Sequence, residues 1–183
     1  MFVCAGNNET FPFAVPVGVG LIESTINLTR LVLFDRPDFL IFVGTAGSYG
    51  KYQPFDIVES SIASNIELAF WEKRAYTPID NVIEAYRDEA VSRETMPIVN
   101  SSNYITTDKT SWNNFRKHRI ELENMEFFAV LKISQEFTIP VHGIFVVTNY
   151  CDQNAHTTFL QNHERAKQRL TEYIYDKYEA LKQ

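Results

Sequence analysis

Glu126 stands in the apolar stretch Met125-Glu126-Phe127-Phe128-Ala129-Val130. A carboxylate among such neighbours needs hydrogen-bond donors or an open cleft, because burying it unpaired is costly. It is therefore a candidate functional acid, the alternative being a carboxylate on the exposed side of its helix or at its cap. Thr148-Asn149 ends the most β-branched run in the chain, residues 141–147. An amide offers a donor and an acceptor, which suits a base edge carrying a carbonyl and a ring nitrogen. It suits equally an Asx turn that closes the strand. In Gly44-Thr45-Ala46-Gly47 small residues let backbone N–H groups converge on an anion, and Thr45 adds a hydroxyl. A tight connection with no ligand has the same composition.

Other familiar chemistries do not fit. His118, His142, His156 and His163 have no metal-ligand spacing and no HExxH, so surface or core places are expected of them. There is no GxSxG and hence no nucleophile elbow. Gly18-Val19-Gly20 follows an apolar run, but Glu23 takes the third glycine's place in a dinucleotide fingerprint, which leaves a strand-to-helix turn. Cys4 and Cys151 lie far apart and neither sits in a CxxC, so neither a metal pair nor a disulfide framework is supported. No metal and no cofactor are expected. With 17 basic and 23 acidic residues the net charge is −6, which disfavours a nucleic-acid partner. No run approaches the ~20 apolar residues of a membrane span, and residues 1–6 are too short and uncharged for a signal peptide. A cytoplasmic location is the expectation.

The elements that must position these residues alternate. Residues 2–5 form a short apolar run ending in Gly6-Asn7-Asn8, and residues 13–17 form another ending in Gly18-Val19-Gly20. Leu21, Ile22, Thr25, Ile26, Leu28, Val32 and Leu33 then recur at helical spacing up to Pro37. Residues 39–43 predict a doubly buried strand that the glycine run ends abruptly. Strands are expected at 57–62 and 98–101, and a strand or irregular excursion at 66–70. Residues 81–91 predict an exposed helix. Met125, Phe128, Ala129, Ile133 and Phe137 mark a buried helical face, residues 141–147 a strand, and residues 157–182 an amphipathic helix with Phe159, Ala166, Leu170, Ile174 and Leu181 inward. Strands alternating with helices predict an α/β fold around a largely parallel sheet. The 183 residues, 45% of them apolar, suit one domain with its own core. Ligands in such sheets gather at the carboxyl ends of strands. Residues 6–10, 44–50, 100–107 and 148–154 are the loops to watch, with Glu126 beside them.

Six segments occur in a telling order over most of the chain. They are Val17-Gly18-Val19-Gly20, Phe42-Val43-Gly44-Thr45-Ala46-Gly47, Phe55-Asp56-Ile57-Val58, Ser102-Asn103-Tyr104-Ile105, Asn124-Met125-Glu126 and Val147-Thr148-Asn149. In that order they resemble the nucleoside phosphorylase and nucleosidase superfamily. The nearest branch holds methylthioadenosine/S-adenosylhomocysteine nucleosidase and the bacterial purine nucleoside phosphorylases. The resemblance implies a single domain over residues 1–183, with a mixed, largely parallel sheet flanked by helices. It implies cleavage of a ribosidic C–N bond in a purine nucleoside through an oxocarbenium-like transition state. Glu126 would accept the ribose hydroxyls, with Met125 packed on the sugar. Tyr104 would stack on the base and Ile105 supply backbone contacts. Asn149, next to Thr148, stands where relatives carry an aspartate that serves the purine N7. An amide can share a hydrogen bond but not transfer a proton, which favours a 6-oxopurine such as that of inosine or guanosine.

The nucleophile is where the resemblance divides. Phosphorolytic relatives carry an arginine before the glycine-rich loop, and here Phe42 stands there; the first loop, Gly6-Asn7-Asn8-Glu9-Thr10, holds no arginine either. Gly6 and Thr45 remain as contacts for phosphate or water, and Glu9 is placed to activate water. Without a cation a phosphate dianion is poorly compensated, whereas the phosphorylases of the family favour phosphate as co-substrate. Both readings stand at this level. The hairpin after the first strand is shortened, so the alternative function is a catalytically inactive nucleoside- or purine-binding member. The resemblance also implies a homo-oligomer, for which Phe70-Trp71 and Tyr76 are a candidate surface, core being the other fate of such rings.

Overall fold

The computed structural model describes residues 1–86 and 96–178. In chain order the strands are β1 (Phe2–Cys4), β2 (Val15–Pro16), β3 (Leu40–Ser48), β4 (Ile57–Ser60), β5 (Ile62–Ser64), β6 (Val82–Glu84), β7 (Ile98–Ser101), β8 (Ile120–Asn124) and β9 (Val141–Tyr150). The helices are α1 (Gly20–Asp35), α2 (Leu68–Trp71), α3 (Trp112–Arg116), α4 (Phe127–Phe137) and α5 (Ala155–Lys177). Among the described residues the strands form one nine-stranded sheet that runs β2-β1-β3-β8-β7-β5-β6, with β9 paired to β3 and to β4. Pairing is parallel for β1 with β2 and β3, β3 with β9, and β7 with β5 and β8. It is antiparallel for β3 with β8, β4 with β9 and β5 with β6. The architecture is α/β, a mixed and mostly parallel sheet with flanking helices.

Alternation along β3 and β9 builds two cores, because successive side chains of a strand point to opposite faces. Leu40 and Phe42 of β3 and Phe145 of β9 join Leu28 and Val32 of α1 and Phe127 and Val130 of α4 on one face. Ile41 and Val43, with Ile144 and Val146, join Ala166, Leu170 and Ile174 of α5 on the other. Both strands are thus covered on both faces, which is why they read as continuous apolar runs.

The structure corrects several sequence expectations. The glycine run does not end its strand: β3 continues through Gly44-Thr45-Ala46-Gly47 to Ser48, paired with β9 throughout and shifting register between Ala46 and Gly47. β8 had no apolar run to announce it, since Glu121 and Glu123 alternate with Ile120 and Leu122. Residues 82–84 form a strand on β5 rather than the start of a helix, and the remainder of that expectation from residue 87 lies outside the described residues. Leu68–Trp71 is a helical turn, not a strand. Met125 and Glu126 precede α4, which begins at Phe127, and α5 begins at Ala155; Leu181 lies outside the described residues. Phe70 and Trp71 pack on the cluster around Tyr49, Ile66 and Phe115, while Tyr76 is exposed. Among the described residues no helix is long and apolar enough to cross a membrane.

Candidate active site

A cavity of about 320 Å³ opens where the turn after β1, the second half of β3, and the ends of β8 and β9 converge. Its walls include Gly6, Glu9 and Thr45 on one side, and Thr148 and Asn149 on another. Met125 and Glu126 form a third side, and Tyr104 and Ile105 a fourth. The nine residues to which the resemblance gives a part in catalysis or binding therefore line one cavity. Among the described residues that line it there is no lysine or arginine.

Glu9 reaches Thr45 across the cavity floor. The Thr45 N–H donates to Glu9 Oε2 at 3.0 Å, and the Thr45 hydroxyl donates to Glu9 Oε1. The approach depends on Gly44, where a Cβ would stand 3.1 Å from Glu9 Oε2. The two donors offered by the glycine-rich segment are thus already taken, by a carboxylate of the chain itself.

Glu126 is buried, at 5% exposure, between elements distant in sequence. Its Oε1 accepts the Gly20 N–H at 2.9 Å, from the start of α1. Its Oε2 accepts the Met125 N–H at 3.2 Å and Asn124 Nδ2 at 3.3 Å. Asn124 is itself held, accepting the Ser101 hydroxyl at 2.8 Å. Burial pushes the Glu126 carboxyl up, the charge of Glu9 pushes the same way, and the Gly20 and Met125 N–H groups only partly offset them. The result is a carboxyl with a pKa raised to about 8. The charge of Glu9 thus adds to burial in opposing ionisation of Glu126.

Asn149 is fixed by its neighbours. Its Oδ1 accepts the Thr148 hydroxyl at 2.8 Å, and its Nδ2 donates to the Tyr150 carbonyl at 3.0 Å. An amide nitrogen carries two hydrogens, so one remains to donate into the cavity. Thr148 in turn is tied to α5, its carbonyl accepting Asn162 Nδ2 at 2.7 Å. Tyr104, 76% exposed, and Ile105, 53% exposed, present apolar surface at the mouth. Their loop is anchored by Asn103, which accepts the Leu21 N–H at 3.0 Å.

Asn7 and Asn8, within the first of the loops named from sequence, also line the cavity, as do Glu123, His156 and Phe159, which sequence reasoning missed. His156 and Phe159 come from the first turns of α5, and Phe159 carried a signal only as an inward-facing apolar residue. Glu123 could have been found from its place two residues before Met125 in a run of alternating charge. Among the described residues no group of three or more His, Cys, Asp or Glu side chains is placed to hold a metal ion. The cavity can grip hydroxyl groups, polarise water through a carboxylate, and donate a hydrogen bond to a planar ring held against exposed aromatic surface.

Comparisons with known proteins agree with the fold. No curated protein matches the sequence significantly. Among solved structures, a Helicobacter pylori MTAN mutant with 5'-methylthioadenosine in its active site superposes with a TM-score of 0.72 at 15% identity, over 89% of this chain and 78% of that one. A mutant of H. pylori futalosine hydrolase gives 0.74 at 15% identity, over 94% and 95% of the two chains. The Streptococcus pneumoniae 5'-methylthioadenosine/S-adenosylhomocysteine nucleosidase with the transition-state inhibitor MT-ImmA gives 0.73 at 13% identity, over 93% and 94%. At such identities the likeness is one of fold. A sequence profile of the Phosphorylase superfamily matches residues 4–176, nearly the whole length, and the chain belongs to that superfamily.

Proposed function

We propose that this protein hydrolyses the N-glycosidic bond of a purine nucleoside, with a 6-oxopurine as the favoured base. The observation that carries the reading is the pairing of Glu9 with both Thr45 donors. A phosphate dianion there would have to displace a carboxylate, face its charge, and do so with no lysine or arginine among the described lining residues. Water meets no such penalty, and a carboxylate is the group that activates it.

Each step then falls to a residue of this chain. The sugar sits against Met125 with its hydroxyls on Glu126. As the C–N bond stretches, positive charge grows on the sugar and favours the ionised form of Glu126. The bonding pair leaves with the base, whose growing negative charge the free Asn149 N–H draws. Water adds to the anomeric carbon and gives its proton to Glu9, while the base takes its own proton from solvent, because an amide cannot release one. Tyr104 and Ile105 cover the base.

Incubation with inosine, with and without inorganic phosphate, tests the reading. Free ribose and hypoxanthine without phosphate are expected. Release that requires phosphate would make the protein a phosphorylase, and binding without release would make it a nucleoside- or purine-binding protein.

A further inference from the structure

A carboxylate at the start of a helix ordinarily accepts N–H groups that the first turn leaves unpaired. Glu126 immediately precedes α4, yet its side chain caps none of them. Two other side chains take that role. The Phe127 N–H donates to Asn124 Oδ1 at 3.3 Å, and the Phe128 N–H donates to Ser101 Oγ at 2.9 Å. The Ala129 N–H closes on the Glu126 carbonyl at 2.9 Å. Ser101 and Asn124 are register partners on β7 and β8, both buried, and the mechanism above uses neither.

The same contacts decide which way the Asn124 amide faces. Its oxygen accepts two donors, the Ser101 hydroxyl at 2.8 Å and the Phe127 N–H. The nitrogen is left for the neighbouring carboxylate, and Nδ2 stands 3.3 Å from Glu126 Oε2. An amide nitrogen only donates, so this contact favours the ionised carboxylate. The other groups that face Glu126 are the Gly20 N–H from α1, the Met125 N–H, and the charge of Glu9 from the turn after β1. Glu123 of β8 and His156 of α5 line the same cavity. Among the described residues Asn124 is thus the one side chain that donates to Glu126.

Resting on the proposed function, we infer that Asn124 is a positioning residue: its oxygen caps α4 and its nitrogen holds Glu126, so that this carboxylate is released from its own helix and presented, ionised, to the sugar hydroxyls. Ser101 serves it in turn, taking the second N–H of the helix and fixing the amide. An aspartate at 124 would cap as well, because its oxygens accept the same two donors. It would also set a second negative charge against Glu126 where a donor is needed.

Asn124→Asp therefore separates positioning from simple capping. With glutamate carboxyl carbons labelled with ¹³C, and the Glu126 signal assigned by its loss in Glu126→Gln, NMR follows the titration of Glu126 in the free protein. That titration should move up by at least about one pH unit in Asn124→Asp, and the rising limb of kcat/KM for inosine should move with it. Asn124→Ser, whose shorter side chain keeps an oxygen for Phe127 but no N–H for Glu126, should move the titration the same way by less, and it serves where Asn124→Asp does not fold. A Glu126 titration unchanged in either folded variant would overturn the inference. The NMR shift does not depend on catalysis. Its appearance without cleavage of inosine would sink the hydrolytic reading and leave this one standing, and cleavage with an unmoved titration would do the reverse.

Discussion

The chemistry of the cavity turns on whether Glu126 holds a proton. Glu126 is raised to about 8 by burial and by Glu9, so in the free protein at neutral pH it is mostly protonated. If the ionised form is needed as charge grows on the sugar, kcat/KM for inosine should rise with pH up to about 8 and then level. The limb belongs to Glu126, whose carboxyl burial and the charge of Glu9 both push up. Glu126→Gln should remove the limb and lower the plateau. Glu9→Gln should lower kcat by about 10²–10⁴ while KM moves little, because the amide still accepts from Thr45 but cannot take a proton from water. A KM effect alone would reduce Glu9 to a binding role. Asn149→Asp should shift preference toward adenosine, read as the ratio of kcat/KM for adenosine and inosine, since the acid can donate a proton where the amide cannot.

At the scale of elements the site depends on how closely α4 seats on the sheet. Gly143 of β9 faces Phe127 of α4; a Cβ there would lie 2.5 Å from Phe127 Cζ and 2.7 Å from Phe145 Cε2. Both rings are fully buried and cannot swing away. Gly143→Ala should therefore destabilise by about 1–3 kcal/mol through overpacking, measured as a lower midpoint in urea. It should also disturb the site, because Glu126 immediately precedes Phe127. The same packing explains what the sequence showed and what it hid. Strands covered on both faces, β3 and β9, announced themselves as apolar runs, and the order of the glycine, Met-Glu and Thr-Asn segments brought the candidate residues to a single cavity. The length of β3 was hidden because Gly44 and Gly47 look like breakers, whereas they stay in the strand to admit Glu9, Cys151 and Asn149. β8 was hidden because the partners that make its carboxylates tolerable, Lys51 for Glu121 and Tyr49 and Thr106 for Glu123, come from elsewhere in the chain. Such pairing is a tertiary property that no local pattern reports.

Across the whole molecule, displaced carboxyls pull stability in opposite directions with pH. Glu59 of β4 is the anchor for α5: Tyr173 donates to its Oε1 at 2.5 Å, Lys177 reaches the same oxygen, and His142 Nε2 lies 2.7 Å from Oε2. Burial pushes its carboxyl up, but the bonds from Lys177, Tyr173 and His142 outweigh that and hold it at about 2, below its usual 4.5. A depressed carboxyl contributes stability above the unfolded value and loses it as pH falls from about 4.5 toward 2. Glu126 has the opposite sign. Folded, it keeps a proton that the unfolded chain releases at 4.5, so its contribution is complete below that pH and is lost as pH rises toward about 8. Glu123, raised in the same direction, adds to that slope. Thermal unfolding followed from pH 2.5 to 9 should therefore give a Tm that peaks on the acid side of neutrality and declines both ways. Glu59→Gln should flatten the acid limb alone, and Glu126→Gln the neutral-to-alkaline limb alone. The sacrifice on the alkaline side would then be the energetic signature of a site built to hold two acids against one substrate, since binding a nucleoside whose hydroxyls bond Glu126 should raise Tm most where that carboxyl is otherwise least tolerated.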